Sequence, residues 1–188
     1  MKIIFDFDDV LFDAKAFKEL MFFYLEERGI RNARDVYVSM RAPDKTFPVL
    51  EYLERLNIPK EDIDTAYEGI VTPARWLVNQ EVLGVAREVG MENIFILSLG
   101  EEAFQRDKIE RALSEEVLDS HVIVVSTSKR EEVFRICMMF KDEDIIFVDD
   151  KVEFLNNLPT EELSNLKTVL FDEMGLEKLK AVVKEATK

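Results

Sequence analysis

The chain has 188 residues, of which 47% are hydrophobic and 34% are charged, and its formal net charge is −14. This composition excludes a disordered or low-complexity chain, and the length suits one domain or one core domain with an insertion. The negative charge disfavours nucleic acid and anionic membranes as partners. The single cysteine, Cys137, lies in an apolar helical run, and no leader pattern or apolar stretch of ~18 residues is present. We therefore expect a protein of the reducing cytoplasm.

Short apolar runs rich in β-branched residues recur along the chain, and helical patterns separate them. The runs are continuous rather than alternating, which is typical of strands that are covered on both faces in a parallel sheet. The pattern therefore predicts an α/β fold built on βα units. The five predicted strands are KIIFDF at 2–7, NIFILS at 93–98, HVIVVS at 121–126, DIIFVD at 144–149 and KTVLFD at 167–172.

The long interval between the first two strands contains helical patterns and no strand pattern. An ordinary crossover needs one helix, so roughly the first 60 of these residues are surplus. We interpret 14–79 as an inserted all-helical cap, and 1–13 with 80–188 as the core domain. The helices predicted in the interval cover 14–29, 46–57, 60–70 and 81–90, and those of the core cover 100–113, 126–140, 151–158 and 172–186.

Polar residues stand at or just after the carboxyl ends of the predicted strands, where open α/β sheets bind their ligands. Any one of these residues alone could be an ordinary connector or helix cap. Together, however, they place two pairs of acids at one edge of the sheet, where the like charges would repel. The set comprises Asp6, Asp8, Ser98, Lys129, Asp149 and Asp150.

A hard divalent cation would remove this repulsion, and Mg2+ binds through carboxylates, water and substrate phosphate. The same residues suit phosphoryl transfer, in which Asp6 would be the nucleophile and Asp8, two positions along the strand, the general acid and then the base. Ser98 would hold a phosphoryl oxygen and Lys129 would supply positive charge. Asp149 and Asp150 would carry or orient the cation.

At these residues the sequence resembles the haloacid dehalogenase-like (HAD) superfamily, which consists mostly of phosphohydrolases. The motifs that carry the resemblance are Asp6-Phe7-Asp8-Asp9-Val10, the strand IFILSLG with Ser98, STSKREEVF with Lys129, and FVDDK with Asp149 and Asp150. Their order and spacing match over the whole chain. The resemblance implies a Rossmann-like three-layer core, a five-stranded parallel sheet with the first strand central, an inserted helical cap, Mg2+ dependence and an aspartyl-phosphate intermediate.

The resemblance also implies a set of metal ligands, namely the Asp6 carboxylate, the main-chain carbonyl of Asp8, and either Asp149 or Asp150. The commoner Gly-Asp form of the fourth motif favours Asp150. The chain departs from the pattern at Asp9, where glycine is common, and after the acidic pair, where Glu153 is the nearest substitute for a further Asp.

We therefore predict a Mg2+-dependent phosphomonoester hydrolase that acts on a small phosphorylated metabolite, as a monomer or a homodimer. Arg41 and Lys45, which flank a proline loop in the cap, are candidate specificity residues. Dehalogenation is disfavoured because a leaving halide needs no proton from Asp8. A phosphotransferase or phosphomutase with the same intermediate, and a non-catalytic HAD-like binding module, stay open as alternatives.

Overall fold

The computed structural model describes residues 1–41 and 46–187. Its strands are β1 (Lys2–Phe5), β2 (Ile94–Leu99), β3 (Val122–Val125), β4 (Ile145–Asp149) and β5 (Leu166–Leu170). They form a five-stranded parallel sheet in the order β3-β2-β1-β4-β5. Each strand begins and ends within two residues of its predicted run. The parallel sheet and the central position of the first strand are therefore confirmed.

Burial of the strands follows their position in the sheet. Every residue of β4 is buried, as is all of β1 except Lys2, whereas the edge strand β5 is mostly half-buried. Successive residues of β1 face opposite sides: Ile3 and Phe5 belong to one apolar cluster and Ile4 belongs to another. Helices cover both faces, which gives the predicted three layers.

The α-helices are α1 (Ala14–Glu26), α2 (Ala33–Met40), α3 (Val49–Arg55), α4 (Ile63–Val71), α5 (Gln80–Val89), α6 (Glu102–Leu113), α7 (Arg130–Met139), α8 (Val152–Asn156) and α9 (Gly175–Ala186). Short 3₁₀ helices lie at Lys60–Asp62, Thr72–Trp76, Met91–Asn93, Ser114–Glu116 and Asp119–His121. Within the described residues, none of these helices combines the length and the apolarity that crossing a membrane requires.

Several helix ends differ from the sequence prediction by up to three residues, and two helices differ more. The sequence pattern did not indicate α2, which is short and lacks a side-chain cap at Asn32. The helix after β3 was predicted from residue 126, but α7 begins at Arg130. The residues between β3 and α7 therefore form a connection, and Lys129 stands at its end, directly before the helix.

The segments 11–13 and 77–79 run side by side. Asp13 N donates to the Leu77 carbonyl at 2.9 Å, and Asn79 N donates to the Leu11 carbonyl at 2.8 Å. Asp13 also caps α1, because its Oδ1 accepts from Ala16 N at 2.8 Å. The described residues between these two segments contain no strand. The division into a core of 1–13 and 80–188 and a cap of 14–79 stays a prediction.

Candidate active site

The buried carboxylate of Asp6 follows β1 directly, at the carboxyl edge of the sheet. Its backbone N–H donates to the Val148 carbonyl at 2.8 Å, which continues the pairing of β1 with β4. Its Oδ1 accepts from Phe7 N at 2.7 Å and lies 2.8 Å from Lys129 Nζ. Burial raises the pKa of Asp6 to about 7; Lys129 opposes the rise, and Asp149 and Asp8 add to it.

Lys129 joins the first strand to the fourth. Its ammonium group lies 2.8 Å from Asp6 Oδ1 and 2.7 Å from Asp149 Oδ2, and only 2% of its side chain is exposed. Burial alone would lower the pKa of Lys129, but the two carboxylates outweigh burial and raise it. A buried ammonium is stable here because both neighbours carry negative charge.

Three carboxylates converge at this point. Asp6, Asp149 and Asp150 each offer an oxygen, and these oxygens lie within 4.8 Å of one another. Asp149 uses both of its oxygens, since Oδ1 accepts from Lys151 N at 2.8 Å and Oδ2 accepts from Lys129. Asp150 Oδ1, by contrast, is buried and has no hydrogen-bond partner among the described residues. Burial raises the pKa of Asp150 against the opposing charge of Lys151.

Ser98 lies near the end of β2, which pairs with the central strand. The residue is 1% exposed, and its hydroxyl oxygen finds no hydrogen-bond partner in the described part of the chain. A buried polar atom without a partner costs about 1–3 kcal/mol. Such an oxygen at the carboxyl edge of the sheet points to a ligand that completes its hydrogen bonding.

Asp8 is held by residues that sequence reasoning missed. Its Oδ1 accepts from Lys108 Nζ at 2.8 Å, and its Oδ2 accepts from Gln105 Nε2 at 2.8 Å. Burial alone would raise the pKa of Asp8, but Lys108 and Gln105 outweigh burial and hold the pKa below its usual value. A lysine on the buried face of α6, beside Phe104 and Ile109, was the sequence signal that could have indicated this contact.

The two predicted specificity residues have different outcomes. Arg41 is exposed just after α2, and its guanidinium carbon lies 5.9 Å from the centre of the Tyr37 ring. Burial raises the pKa of Tyr37; Arg41 opposes the rise, and the charge of Asp8 adds to it. The Tyr37 hydroxyl on α2 is therefore near enough to Asp8 for the Asp8 charge to affect the pKa of Tyr37. Lys45 lies outside the described residues.

Comparison with solved structures identifies the fold. No family model matches the chain, and no curated protein matches it. A solved protein from Burkholderia xenovorans, described as a haloacid dehalogenase-like hydrolase, superposes with a TM-score of 0.66 at 21% identity, over 93% of this chain and 86% of that one. The chain has the haloacid dehalogenase-like fold. The resemblance in fold that the motifs implied is thus confirmed.

Other structures with the HAD fold differ in what their descriptions name. The HAD-hydrolase YfnB from Bacillus subtilis, described as bound to magnesium, matches with a TM-score of 0.59 at 12% identity over 97% of both chains. The L-2-haloacid dehalogenase from Xanthobacter autotrophicus matches with a TM-score of 0.55 at 15% identity, over 97% of this chain and 82% of that one. Identities this low show a shared fold and leave the reaction to be argued from the site.

Proposed function

We propose that this protein is a Mg2+-dependent phosphomonoester hydrolase that acts on a small phosphorylated metabolite through an aspartyl phosphate on Asp6. The observation that carries the proposal is the grouping of Asp6, Asp149 and Asp150 around Lys129. Two buried oxygens at this edge of the sheet, one on Ser98 and one on Asp150, have no hydrogen-bond partner within residues 1–41 and 46–187. A cation and a phosphoryl group together would supply what these atoms lack.

The donor set fits Mg2+, which prefers a few carboxylate oxygens and completes its shell with water and substrate phosphate. We assign Asp6 and Asp150 as its carboxylate ligands, with the main-chain carbonyl of Asp8. We assign Asp149 to orient Lys129, because its oxygens accept hydrogen bonds from Lys129 and Lys151 N, whereas Asp150 Oδ1 has no partner among the described residues. When bound, the ion neutralises negative charge on the carboxylates and on the phosphoryl group. The magnesium-bound Bacillus subtilis structure, which has the same fold, supports this choice.

In the proposed reaction, Asp6 attacks phosphorus with the carboxylate oxygen that Phe7 N does not hold. The bond from phosphorus to the ester oxygen breaks, and Asp8 gives that oxygen a proton. Water then attacks the phosphoryl group while Asp8 takes its proton, which frees phosphate and restores Asp6. Lys129 and Ser98 stabilise the negative oxygens of the phosphoryl group. Lys108 keeps Asp8 ionised at rest, and an approaching phosphate dianion favours the protonated form.

The helices within 14–79 bear on the size of the substrate. We propose that 14–79 acts as a cap that excludes bulky substrates and bulk water from the crevice. Arg41, at the end of α2, would contact the part of the substrate that leaves. We keep the expectations of a cytoplasmic monomer or homodimer without nucleic-acid or membrane partners.

Dehalogenation is the competing activity, because a haloacid dehalogenase shares the fold. A halide leaves without taking up a proton, so the carboxylate of Asp8 would have no role as a general acid in a dehalogenase. This favours the phosphate ester. A phosphotransferase or phosphomutase would use the same intermediate with an acceptor other than water, and a binding module would keep the fold without turnover.

The test is phosphate release from p-nitrophenyl phosphate, sugar phosphates and nucleotides, with and without Mg2+, by wild type and Asp6→Asn. We expect release that requires Mg2+ and that Asp6→Asn abolishes. Release that survives Asp6→Asn, or no release from any ester, would contradict the proposal. Halide release from a 2-haloacid would favour the dehalogenase, and phosphate transfer to an added alcohol without net hydrolysis would favour the transferase.

A further inference from the structure

We propose that Gln105 and Lys108 are positioning residues for Asp8, and that from α6 they fix the direction in which its carboxylate transfers a proton. Each residue holds a different oxygen of Asp8, at 2.8 Å. This inference rests on the proposed function, since the direction of the carboxylate matters only if Asp8 takes part in proton transfer. It adds two residues that no motif of the sequence assigned.

The geometry of α6 explains how two residues reach one carboxylate. Residues three positions apart lie on the same face of a helix, so Gln105 and Lys108 point together toward the turn after β1. Because each carboxylate oxygen has its own donor, rotation of the group would break a hydrogen bond. The carboxylate is nevertheless not sealed off, since 27% of the Asp8 side chain stays exposed. Asp8 is thus held in place and still partly open to solvent.

Lys108 is not explained by packing alone. It is 4% exposed, and its ammonium nitrogen lies 5.2–5.6 Å from the centres of four phenylalanine rings. Aromatic rings attract a cation at this distance, but a methionine would fill the same apolar space without burying a charge. The charge is useful because the ammonium group reaches Asp8. The rings belong to Phe7, Phe12, Phe17 and Phe104.

The position of Gln105 leaves one of its own polar atoms without a hydrogen bond among the described residues. Its Nε2 donates to Asp8 Oδ2 and, at 3.3 Å, to the Leu99 carbonyl; both partners are acceptors, so the NH₂ end must face them. Its Oε1 is consequently buried without a partner among the described residues. An added Cβ on Gly100 would overlap the Gln105 side chain and lie 2.6 Å from Nε2. Gly100 therefore leaves room for Gln105.

The inference predicts a particular kinetic pattern. Positioned acid–base catalysis contributes about 10²–10⁴-fold to a rate, so losing one of the two donors should lower kcat about tenfold or more. The loss should be larger for an alkyl phosphate than for p-nitrophenyl phosphate, because nitrophenolate leaves without a proton. KM and the Mg2+ concentration for half-maximal activity should change little, since the Asp8 side chain lies outside the carboxylate cluster.

The experiment compares both esters in wild type, Gln105→Leu, Lys108→Met and Gly100→Ala, with Asp8→Asn as the reference. Lys184→Met, which makes the same substitution at an exposed position of α9, is the control for lost charge. We expect Gln105→Leu, Lys108→Met and Gly100→Ala to lower kcat in the same pattern as Asp8→Asn, but by a smaller factor. Lys184→Met should match wild type. Gly100→Ala and Gln105→Leu remove no charge, so they carry the test if Lys108→Met does not fold.

Equal losses on the two esters, unchanged rates, or a rise in KM together with a weaker response to Mg2+ would overturn the inference. Those results would assign Gln105 and Lys108 a packing role. Failure of the proposed function would look different, because wild type itself would then release no phosphate in a Mg2+-dependent manner. In that case both conclusions fall together.

Discussion

The ammonium nitrogen of Lys129 lies 2.8 Å from Oδ1 of Asp6, and only 2% of the lysine side chain and 5% of the aspartate side chain are exposed. Water screens such a pair weakly, so the Asp6 charge depends on Lys129, whereas Lys129 has a second partner in Asp149. Lys129 also forms an ion pair with Asp149, and Asp150 lies close to both aspartates. One ammonium group cannot neutralise three carboxylates, and the remaining negative charge is what a divalent cation would take up.

Replacing Lys129 with methionine should therefore destabilise the protein and stop turnover. Removing one partner of a buried ion pair costs about 3–5 kcal/mol, because the other charge is left uncompensated. We expect a loss of this size in the free energy of unfolding, measured by urea denaturation without Mg2+ near neutral pH. The loss should shrink in mild acid, where Asp6 becomes protonated.

Lys184→Met again serves as the matched control, since it removes an exposed lysine from α9 and should leave the free energy of unfolding nearly unchanged. A loss in Lys129→Met that is no larger than in this control would show that the buried pair contributes little. A loss that stays the same in mild acid would show that Asp6 is not the group left uncompensated.

Asp6→Asn should stop turnover without destabilising the protein. An amide cannot form the aspartyl phosphate, so turnover should fall at least about a thousandfold. Burial disfavours the ionised form of Asp6, so the neutral amide should leave the free energy of unfolding unchanged or higher near pH 8 without Mg2+. Phosphate release and urea denaturation on the same preparation check both parts. A less stable variant would show that the Asp6 charge is needed to hold Lys129.

Stabilisation by Mg2+ should grow as the pH rises. The pKa of Asp6 is raised to about 7, so between its ordinary value of 3.8 and about 7 the folded state keeps a proton that the unfolded state has released. Stability from this group is therefore present at low pH and lost as the pH rises through that window. Mg2+ needs the ionised carboxylate and competes with the proton.

The measurement is the shift in Tm that millimolar Mg2+ causes at several values from about pH 5 to about pH 8. We expect a small shift at the acid end and a larger one at the alkaline end. Asp6→Asn is the control, and its shift should be smaller than that of wild type at the alkaline end and should depend less on pH. A wild-type shift that does not depend on pH would contradict the assignment of Asp6 as a ligand.

The sequence predicted the sheet and the position of most site residues because both depend on local patterns. Continuous apolar runs indicate strands covered on both faces, and residues such as Asp6, Ser98 and Asp149 stand at or near the ends of those strands. In a parallel sheet the strand ends meet at one edge, so their convergence follows from the topology. The roles of these residues stay predictions until turnover is measured.

Other features depend on contacts between distant segments, which local patterns do not report. The contacts of Gln105 and Lys108 with Asp8 join residues about a hundred positions apart. Helix α2 has no side-chain cap, and of its residues only Ala33 is buried, so its periodicity is weak. Helix α7 begins at Arg130, directly after Lys129, whose side chain reaches the carboxylates of Asp6, just after β1, and of Asp149 in β4.

Asp9, where many HAD-like sequences have glycine, is explained by the backbone. Its φ is 61°, in the left-handed region, and its N–H donates to the Phe12 carbonyl at 2.7 Å. Glycine adopts this conformation freely, whereas a residue with a Cβ is strained in it, and Asp is among the residues that tolerate it best. The position therefore requires a backbone conformation, and the carboxylate is not needed for the turn.

Asp9→Gly should consequently keep turnover within about twofold of wild type, and its free energy of unfolding should stay within about 1 kcal/mol. Asp9→Ala, which also removes the charge but keeps a Cβ, should be less stable than Asp9→Gly by about 1 kcal/mol. Steady-state kinetics and urea denaturation of the two variants separate charge from conformation. A large loss of turnover in both variants would instead show that the Asp9 carboxylate takes part in the reaction.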